Sequence, residues 1–247
     1  MARRPDFRSI RRRLLEPPVG HFTEDEIDGL PAAVRRYFRA SIAEGTPLYR
    51  TATISMRGRI RIGRWLPFRA REVLNPQRGF IWQARTAVVI SGSDHYVDGD
   101  GAMRWKLAGV ATVAEGAGPD VARSAAGRVA GEAIWLPTAL LPRFGVDWEA
   151  DDSRITAHYE LDGNPFDLVF DLEPDGKPSS ITFQRWGDPD GEGTSATHGF
   201  GGDFTDYATY AGLTVPTRGS VGWHHGTSAW DGGFFRFRIV RLEPFSS

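Results

Sequence analysis

Hydrophobic and polar residues alternate along a long stretch that begins near Leu48. Apolar side chains stand at even positions: Ala52, Ile54, Met56, Ile60 and Ile62. Threonine, serine and arginine fill the odd positions between them. Because successive side chains of a strand point to opposite faces, this period of two predicts a long half-buried β-strand.

Turn-forming residues then recur at short intervals over much of the chain. Glycine, aspartate, asparagine, serine and proline dominate residues 63–64, 75–79, 91–92, 99–101, 162–165, 175–176, 188–191 and 232–233. The runs between these turns have the length of strands and leave no room for crossover helices. The fold class predicted is α+β, with a long antiparallel β-meander curved into a half-barrel or open barrel.

Residues 116–141 interrupt this alternation, and Gly118-Pro119-Asp120 forms a typical helix start. A helical projection places five side chains in one narrow sector: Val121, Ala125, Val129, Glu132 and Leu136. The segment is otherwise rich in glycine and alanine, which permit close approach to another surface but give little intrinsic helix stability. We therefore predict an inserted helix, 119–141, that packs against the concave face of the sheet.

Helical spacing also marks the start of the chain. Residues 6–15 predict a short amphipathic helix, and Thr23 with Glu26 forms a capping-box pattern. A further helix is expected from Leu30-Pro31 to Gly45. We divide the chain into an N-terminal helical segment, 1–45, and a β half-barrel, 46–247, which together form one domain.

Composition limits the partners. The 247 residues contain 30 basic and 31 acidic side chains and no cysteine, so disulfides and thiolate chemistry are excluded. A formal net charge of -1 gives no overall field that would favour nucleic acid. The arginines of residues 1–18 precede no apolar run, so they predict no secretory signal, and a solvated helix is favoured there over membrane contact. We expect a cytoplasmic protein.

Several motifs together resemble a bacterial family of uncharacterised proteins. The most specific motif is a Gly-Glu-Ala-x-Trp-Leu-Pro helix pattern within residues 131–142. The others are Val34-Arg35-Arg36-Tyr37-Phe38, Asp98-Gly99-Asp100-Gly101 before Trp105-Lys106, and residues 212–217 before Trp223. The resemblance extends from about Leu30 to the end of the chain. The element order also resembles, in architecture alone, the half-barrel of lipoprotein carriers of the bacterial envelope, and architecture does not supply a function.

Two charged residues are expected on the apolar face of their elements. Glu132 lies in the apolar sector of the predicted helix, and Arg185 shares the parity of Ile181 and Phe183 along a predicted strand. A buried charge needs a partner, so Glu132 and Arg185 either meet one another or both meet a bound ligand. An ion pair that ties the helix to the sheet and a functional site are both consistent with this pattern. In a catalytic site, burial would favour Glu132 as general acid or base, and Arg185 would oppose that effect.

His225 is a third candidate, because it shares the parity of Val221 and Trp223. A histidine on an apolar face is more often a core residue with a satisfied hydrogen bond than a proton-transfer group. Aromatic side chains in predicted elements could stack on a ligand, although filling a core is their commoner use. The candidates for ligand binding are Trp82, Trp105, Trp135, Phe183 and Trp223.

The leading interpretation is a protein that binds a hydrophobic small molecule or acyl chain between the sheet and the helix. A cofactor-free cyclase or isomerase, in which Glu132, Arg185 or His225 moves protons, is the alternative. A structural or interaction module without a cavity is the third. No metal site or cofactor is expected, and the charge balance argues against a nucleic-acid partner. The sequence contains no phosphate loop, nucleophile elbow, His-Glu-x-x-His or dinucleotide motif, so the common hydrolase, kinase, metalloprotease and dehydrogenase functions lack support.

Overall fold

The computed structural model describes residues 6–86, 90–151 and 153–247. Three α-helices occur among them: α1 (Phe7–Leu14), α2 (Ala32–Ser41) and α3 (Pro119–Glu132). Short 3₁₀ turns occupy Glu24–Ile27, Ala133–Trp135, Pro137–Leu140 and Pro142–Phe144. Strands make up most of the rest, as the period-two pattern predicts.

Six strands precede α3 and nine follow it. The first six are β1 (Ala52–Ile62), β2 (Arg64–Asn75), β3 (Gly79–Thr86), β4 (Ile90–Val97), β5 (Asp100–Leu107) and β6 (Ala111–Ala117). The next five are β7 (Asp147–Asp151), β8 (Arg154–Leu161), β9 (Asn164–Leu172), β10 (Pro178–Gly187) and β11 (Ala196–Phe204). The last four are β12 (Tyr207–Tyr210), β13 (Leu213–Pro216), β14 (Arg218–Trp223) and β15 (Phe235–Pro244).

Thirteen of these strands form one antiparallel sheet in the order β6-β5-β4-β3-β2-β1-β15-β14-β11-β10-β9-β8-β7. The small hairpin β12-β13 stands apart from it. Since β6 and β7 are the two edge strands, the chain between them must cross from one edge to the other. It does so through α3, which contacts β5 in one half of the sheet and β10 in the other. The sheet is therefore curved around α3, and the predicted helix on the concave face is confirmed.

Small residues set the distance between α3 and β10. A Cβ on Gly131 would lie 3.0 Å from the Phe183 ring, and one on Gly127 would lie 2.9 Å from Cγ of Arg185. The glycines thus let the helix backbone rest on β10 side chains. The expected helical range, 119–141, is too long, because α3 ends at Glu132 and 3₁₀ turns follow. Pro137 lacks an N–H group and disfavours a helical conformation at Leu136, whose φ is -136°.

The N-terminal helix lies on the opposite, convex face. Ile10 and Leu14 of α1 are buried against Val73, Ile81 and Val97 of the sheet. The helix predicted over 6–15 is therefore present, and one side of it is covered by protein. The capping box predicted at Thr23 is wrong, because only a 3₁₀ turn begins there and no side-chain cap bond forms.

One predicted turn is also wrong. Ser91 and Gly92 continue β4 without a turn, although serine and glycine commonly mark loops. A Cβ on Gly92 would lie 2.3 Å from Cδ2 of Trp105 on the neighbouring strand. Gly92 therefore leaves space for the Trp105 ring, and such close approach of a neighbouring group is one reason for a glycine inside a strand.

Candidate functional site

A cavity of about 680 Å³ lies between α3 and the concave face of the sheet. Its lining is mostly aromatic and aliphatic, and it includes four charged side chains: Asp94, Arg128, Glu132 and Arg185. Ile62 and Val113 also line it and remain 54% and 52% exposed, so the cavity reaches solvent beside them. The volume and the lining are typical of small-molecule sites.

Arg128 of α3 lies at the centre of an acidic cluster. Its Nε donates to Oε1 of Glu132 at 2.8 Å, its Nη1 to Oδ2 of Asp94 at 3.1 Å and its Nη2 to Oε1 of Glu72 at 3.3 Å. The guanidinium carbon also lies 4.4 Å from the centre of the Phe80 ring. One cation thus joins α3 to strands β2 and β4, and the fixed fork of the guanidinium group suits three acceptors at once.

Glu72 is fully buried, with 0% of its surface exposed. Burial raises the pKa of its carboxyl group well above the ordinary value, and the neighbouring carboxyl group of Glu132 raises that pKa further. Oε2 of Glu72 and Oε2 of Glu132 have no hydrogen-bond partner among the described residues. A single proton shared by the two carboxyl groups would satisfy both atoms, and the raised pKa favours Glu72 as the group that holds it.

Asp94 is held from a second side. Nε1 of Trp105 donates to its Oδ1 at 3.0 Å, and the Trp105 ring lies against the Cα of Gly92. Burial raises the pKa of Asp94, although Arg128 and the Trp105 hydrogen bond act in the opposite direction. With Glu72 protonated, the charges of Asp94 and Glu132 balance those of Arg128 and Arg185.

Arg185 of β10 has a different environment. Its Nε donates to the main-chain oxygen of Ser124 at 3.2 Å, and its guanidinium carbon lies 4.5 Å from the Phe200 ring centre and 5.2 Å from that of Trp223. No carboxylate of a described residue lies within ion-pair distance of it. Burial lowers the pKa of Arg185 to about 10 and the charge of Arg128 lowers it further, whereas the more distant carboxylates of Glu132 and Asp94 act in the opposite direction. Arg185 therefore remains a cation at neutral pH, with its terminal nitrogens free to bind an anion.

The structure brings Glu132 and Arg185 to one cavity, as their patterns predict. The two side chains form no ion pair, because Arg128, one helical turn before Glu132, occupies that carboxylate. The expected contact between Glu132 and Arg185 is therefore wrong, and the alternative, that each could meet a ligand, stays a prediction.

The aromatic candidates divide into two groups. Trp82, Trp105, Trp135 and Phe183 line the cavity. Trp223 lies outside the lining, where its ring packs against the Phe200 ring at 5.1 Å and against Arg185. Trp223 therefore supports the guanidinium group and does not reach the cavity itself.

His225 does not reach the cavity either. Its Nδ1 lies 2.8 Å from Oγ1 of Thr182 and its Nε2 lies 2.9 Å from Oδ1 of Asp203. The parity argument fails because β14 ends at Trp223 and His224 adopts a left-handed conformation with φ +62°, which breaks the alternation. The concave position expected for His225 is wrong, and the satisfied hydrogen bonds match its commoner structural use.

Sequence reasoning missed three members of the cluster, and two of them leave a signal in the sequence. Arg128 stands four residues before Glu132, the spacing of a helical ion pair. Glu72 shares the parity of Phe68 and Leu74 along β2, as Arg185 shares that of its apolar neighbours. Asp94 lies directly opposite Trp82 on the neighbouring strand, but only the register reveals this.

Other site types find no support in the described part of the chain. Within residues 6–86, 90–151 and 153–247, no group of three histidine, cysteine, aspartate or glutamate side chains is arranged so that it could hold a metal ion. In these same ranges no helix has the length and hydropathy that crossing a bilayer requires.

Solved structures similar to this chain have low sequence identity to it. A LolA superfamily protein from Nitrosomonas europaea gives a TM-score of 0.45 at 8% identity, over 86% of this chain and 92% of that one. A beta-barrel-like protein of domain of unknown function DUF1849 from Brucella abortus gives 0.25 at 12% identity, over 79% and 97%.

In sequence, no curated protein matches the chain. A family model does match, over residues 20–237, which is most of the chain. The match includes α2, α3 and the strands that carry the acidic cluster and Arg185. The chain therefore belongs to DUF6544, a family of unknown function.

Proposed function

We propose that the cavity binds a hydrophobic molecule that carries one anionic group, such as a long-chain carboxylic acid, with the anion on Arg185. The observation that carries the proposal is a partly buried guanidinium group at the wall of an apolar cavity, with no carboxylate within ion-pair distance of it. Charged groups are rarely buried without a partner. A ligand carboxylate would supply the partner, and the guanidinium fork matches its geometry.

The other charges support the same orientation. Arg128 is fully engaged by three acids, so it offers little to a ligand. Negative charge on Asp94 and Glu132 would repel an anion that approached the cluster. An anionic head would therefore favour the Arg185 side, and the apolar chain would lie along the aromatic lining towards Ile62 and Val113.

The test compares two probes that differ only in the head group. Palmitate and palmityl alcohol are titrated into the protein, and binding is followed by quenching of tryptophan fluorescence. Wild-type protein should bind palmitate more tightly, and Arg185→Met should lose about 10–100-fold in palmitate affinity, the worth of a hydrogen-bonded ion pair. Affinity for the alcohol should change by less than about threefold.

The matched control is Arg123→Met, which removes an exposed arginine of α3 that stacks on Trp186. It should leave both affinities unchanged. Equal loss of palmitate and alcohol binding in Arg185→Met would contradict the proposed role of Arg185. Failure of wild-type protein to bind either probe would contradict a hydrophobic ligand.

A second candidate function has one observation in its favour. Glu132 lines the cavity, and its Oε2 lacks a hydrogen-bond partner among the described residues, while Glu72, whose pKa is raised by burial and by Glu132, lies beside it. Such a pair could move a proton to or from a bound substrate, as a cofactor-free isomerase or cyclase requires. Glu132→Gln would then abolish turnover and keep ligand affinity, whereas a pure binding protein would show no turnover to lose.

A further inference from the structure

A row of basic side chains crosses the convex face of the sheet. Following the strand register from β5 to β14, the aligned residues are Lys106, Ser91, Arg85, Arg69, Arg57, Arg238 and Arg218. Neighbouring strands lie about 4.8 Å apart, so the row is roughly 30 Å long. We call this set the basic row.

The basic row is costly for the fold. Like charges directly opposite one another on adjacent strands are destabilising, and Arg69 faces both Arg57 and Arg85. Across the described ranges, Arg57, Arg69 and Arg85 make no ion pair with an acid, and Arg218 alone of the row does so, with Asp206. No acidic side chain of β1, β2 or β3 offsets them on this face, because Glu72 is buried on the concave side. A bound anionic surface would turn this repulsion into attraction.

Two grooves along the row carry more positive charge. The first, of about 630 Å³, is lined by six arginines that include Arg59 and Arg236, with Asp203 as its acid. The second, of about 700 Å³, adds Arg71 and Arg104 and ends at Phe7 of α1. Arg8, Arg11 and Arg12 of α1 are exposed and add positive charge on the same face, whereas Arg13 and Arg104 pair with Asp98 and Glu115.

Apolar side chains stand at one border of this surface. Leu107 follows Lys106 directly and is 42% exposed, and Val110 in the next turn is 80% exposed. Ile62, at the adjoining end of β1, follows Arg61 and borders the cavity mouth. A nucleic acid offers phosphates but no apolar layer, whereas an anionic bilayer offers both to a surface of this kind.

We propose that the basic row and the exposed turn that follows Lys106, at Leu107 and Val110, form a docking surface for membranes that contain anionic phospholipid. The row would bind head-group phosphates, and the apolar side chains of the turn would enter the interface beside them. The inference does not depend on the ligand of the cavity.

Co-sedimentation with vesicles tests the docking surface. Wild-type protein should bind mixed phosphatidylcholine–phosphatidylglycerol vesicles, release them as salt is raised and bind pure phosphatidylcholine vesicles at least tenfold more weakly. The variant with Arg57→Gln, Arg69→Gln and Arg85→Gln together should lose at least tenfold in affinity. Because these changes relieve repulsion, its melting temperature should not fall.

The control variant changes three exposed arginines elsewhere, Arg39→Gln, Arg123→Gln and Arg154→Gln, and so removes the same total charge. It should bind vesicles within about twofold of wild type, because effective charges lie within a Debye length of the lipid. Val110→Ser should weaken binding at both low and high salt, because its contribution is apolar.

Three results would overturn the proposal. They are equal binding to neutral and anionic vesicles, equal losses in the row variant and its control, and binding of duplex DNA through the row by a protein that does not bind vesicles. The last result would make the row a nucleic-acid surface.

Discussion

Arg128 and Arg185 line the same cavity and have opposite surroundings. Arg128 binds Glu72, Asp94 and Glu132, whereas Arg185 lies between two aromatic rings and a main-chain oxygen. The two arginines therefore serve different purposes. Arg128, bound by three acids, holds α3 to the sheet, whereas Arg185, which has no ion-pair partner among the described residues, keeps its terminal nitrogens for a ligand.

The largest effect should come from removing the paired arginine. Arg128→Met leaves the fully buried Glu72 and two partly buried acids, Asp94 and Glu132, without a cation, so we expect a loss of about 3–5 kcal/mol in the free energy of unfolding. Arg185→Met leaves no acid without its ion-pair partner, so the free energy of unfolding should change by less than about 1 kcal/mol. Urea unfolding of both variants measures the contrast. Similar losses in the two variants would mean that Arg185 is structural as well.

The acidic cluster around Arg128 predicts that stability falls as the pH rises, because one of its members, Glu72, has a raised pKa. The pKa of Glu72 is raised in the folded protein above its ordinary value of 4.5, so its proton stabilises the fold. That contribution is fully present below the unfolded pKa and is lost as pH rises through the folded pKa, by at most about 1.4 kcal/mol per pH unit.

Glu72→Gln isolates this contribution, because the amide keeps the shape of a protonated carboxyl group and does not titrate. Wild-type stability should fall relative to the variant as pH is raised above 4.5. Unfolding curves of both proteins along a pH series provide the measurement. A constant difference at all pH values would mean that Glu72 does not change its protonation in this window.

The smallest effect concerns the aromatic support of Arg185. Trp223→Leu removes one of two rings from the guanidinium group, which should cost about 0.5–1 kcal/mol of palmitate binding, or two- to fivefold. The control is Trp186→Leu. Trp186 follows Arg185 in β10, but its ring stacks on Arg123, so its loss should not change palmitate affinity. Equal losses of palmitate affinity in the two variants would mean that the Trp223 ring gives Arg185 no specific support.

How much of this could be predicted from the sequence depends on how local each feature is. The alternation in β1 and the small residues of α3 predicted the curved sheet and the helix on its concave face, since both follow from one element at a time. Glu132 and Arg185 were found by the same reasoning, because a charge at an apolar position is visible within a single strand or helix.

The errors concern relations between elements. Arg128 was missed because its acids come from β2 and β4, which only the register brings to α3. His225 was misplaced because one residue with positive φ, His224, ended the strand and reversed the expected face. The basic row could not be seen either, since its members come from seven strands, and the net charge of -1 conceals it.

The most direct test of the ligand proposal is a crystal structure of the protein with palmitate bound. We expect the carboxylate on the terminal nitrogens of Arg185, at about 2.8 Å, with the chain along Phe183 and Trp135 towards the mouth. A carboxylate in solvent at the mouth, or on Arg128 after displacement of its acids, would contradict the proposed role of Arg185.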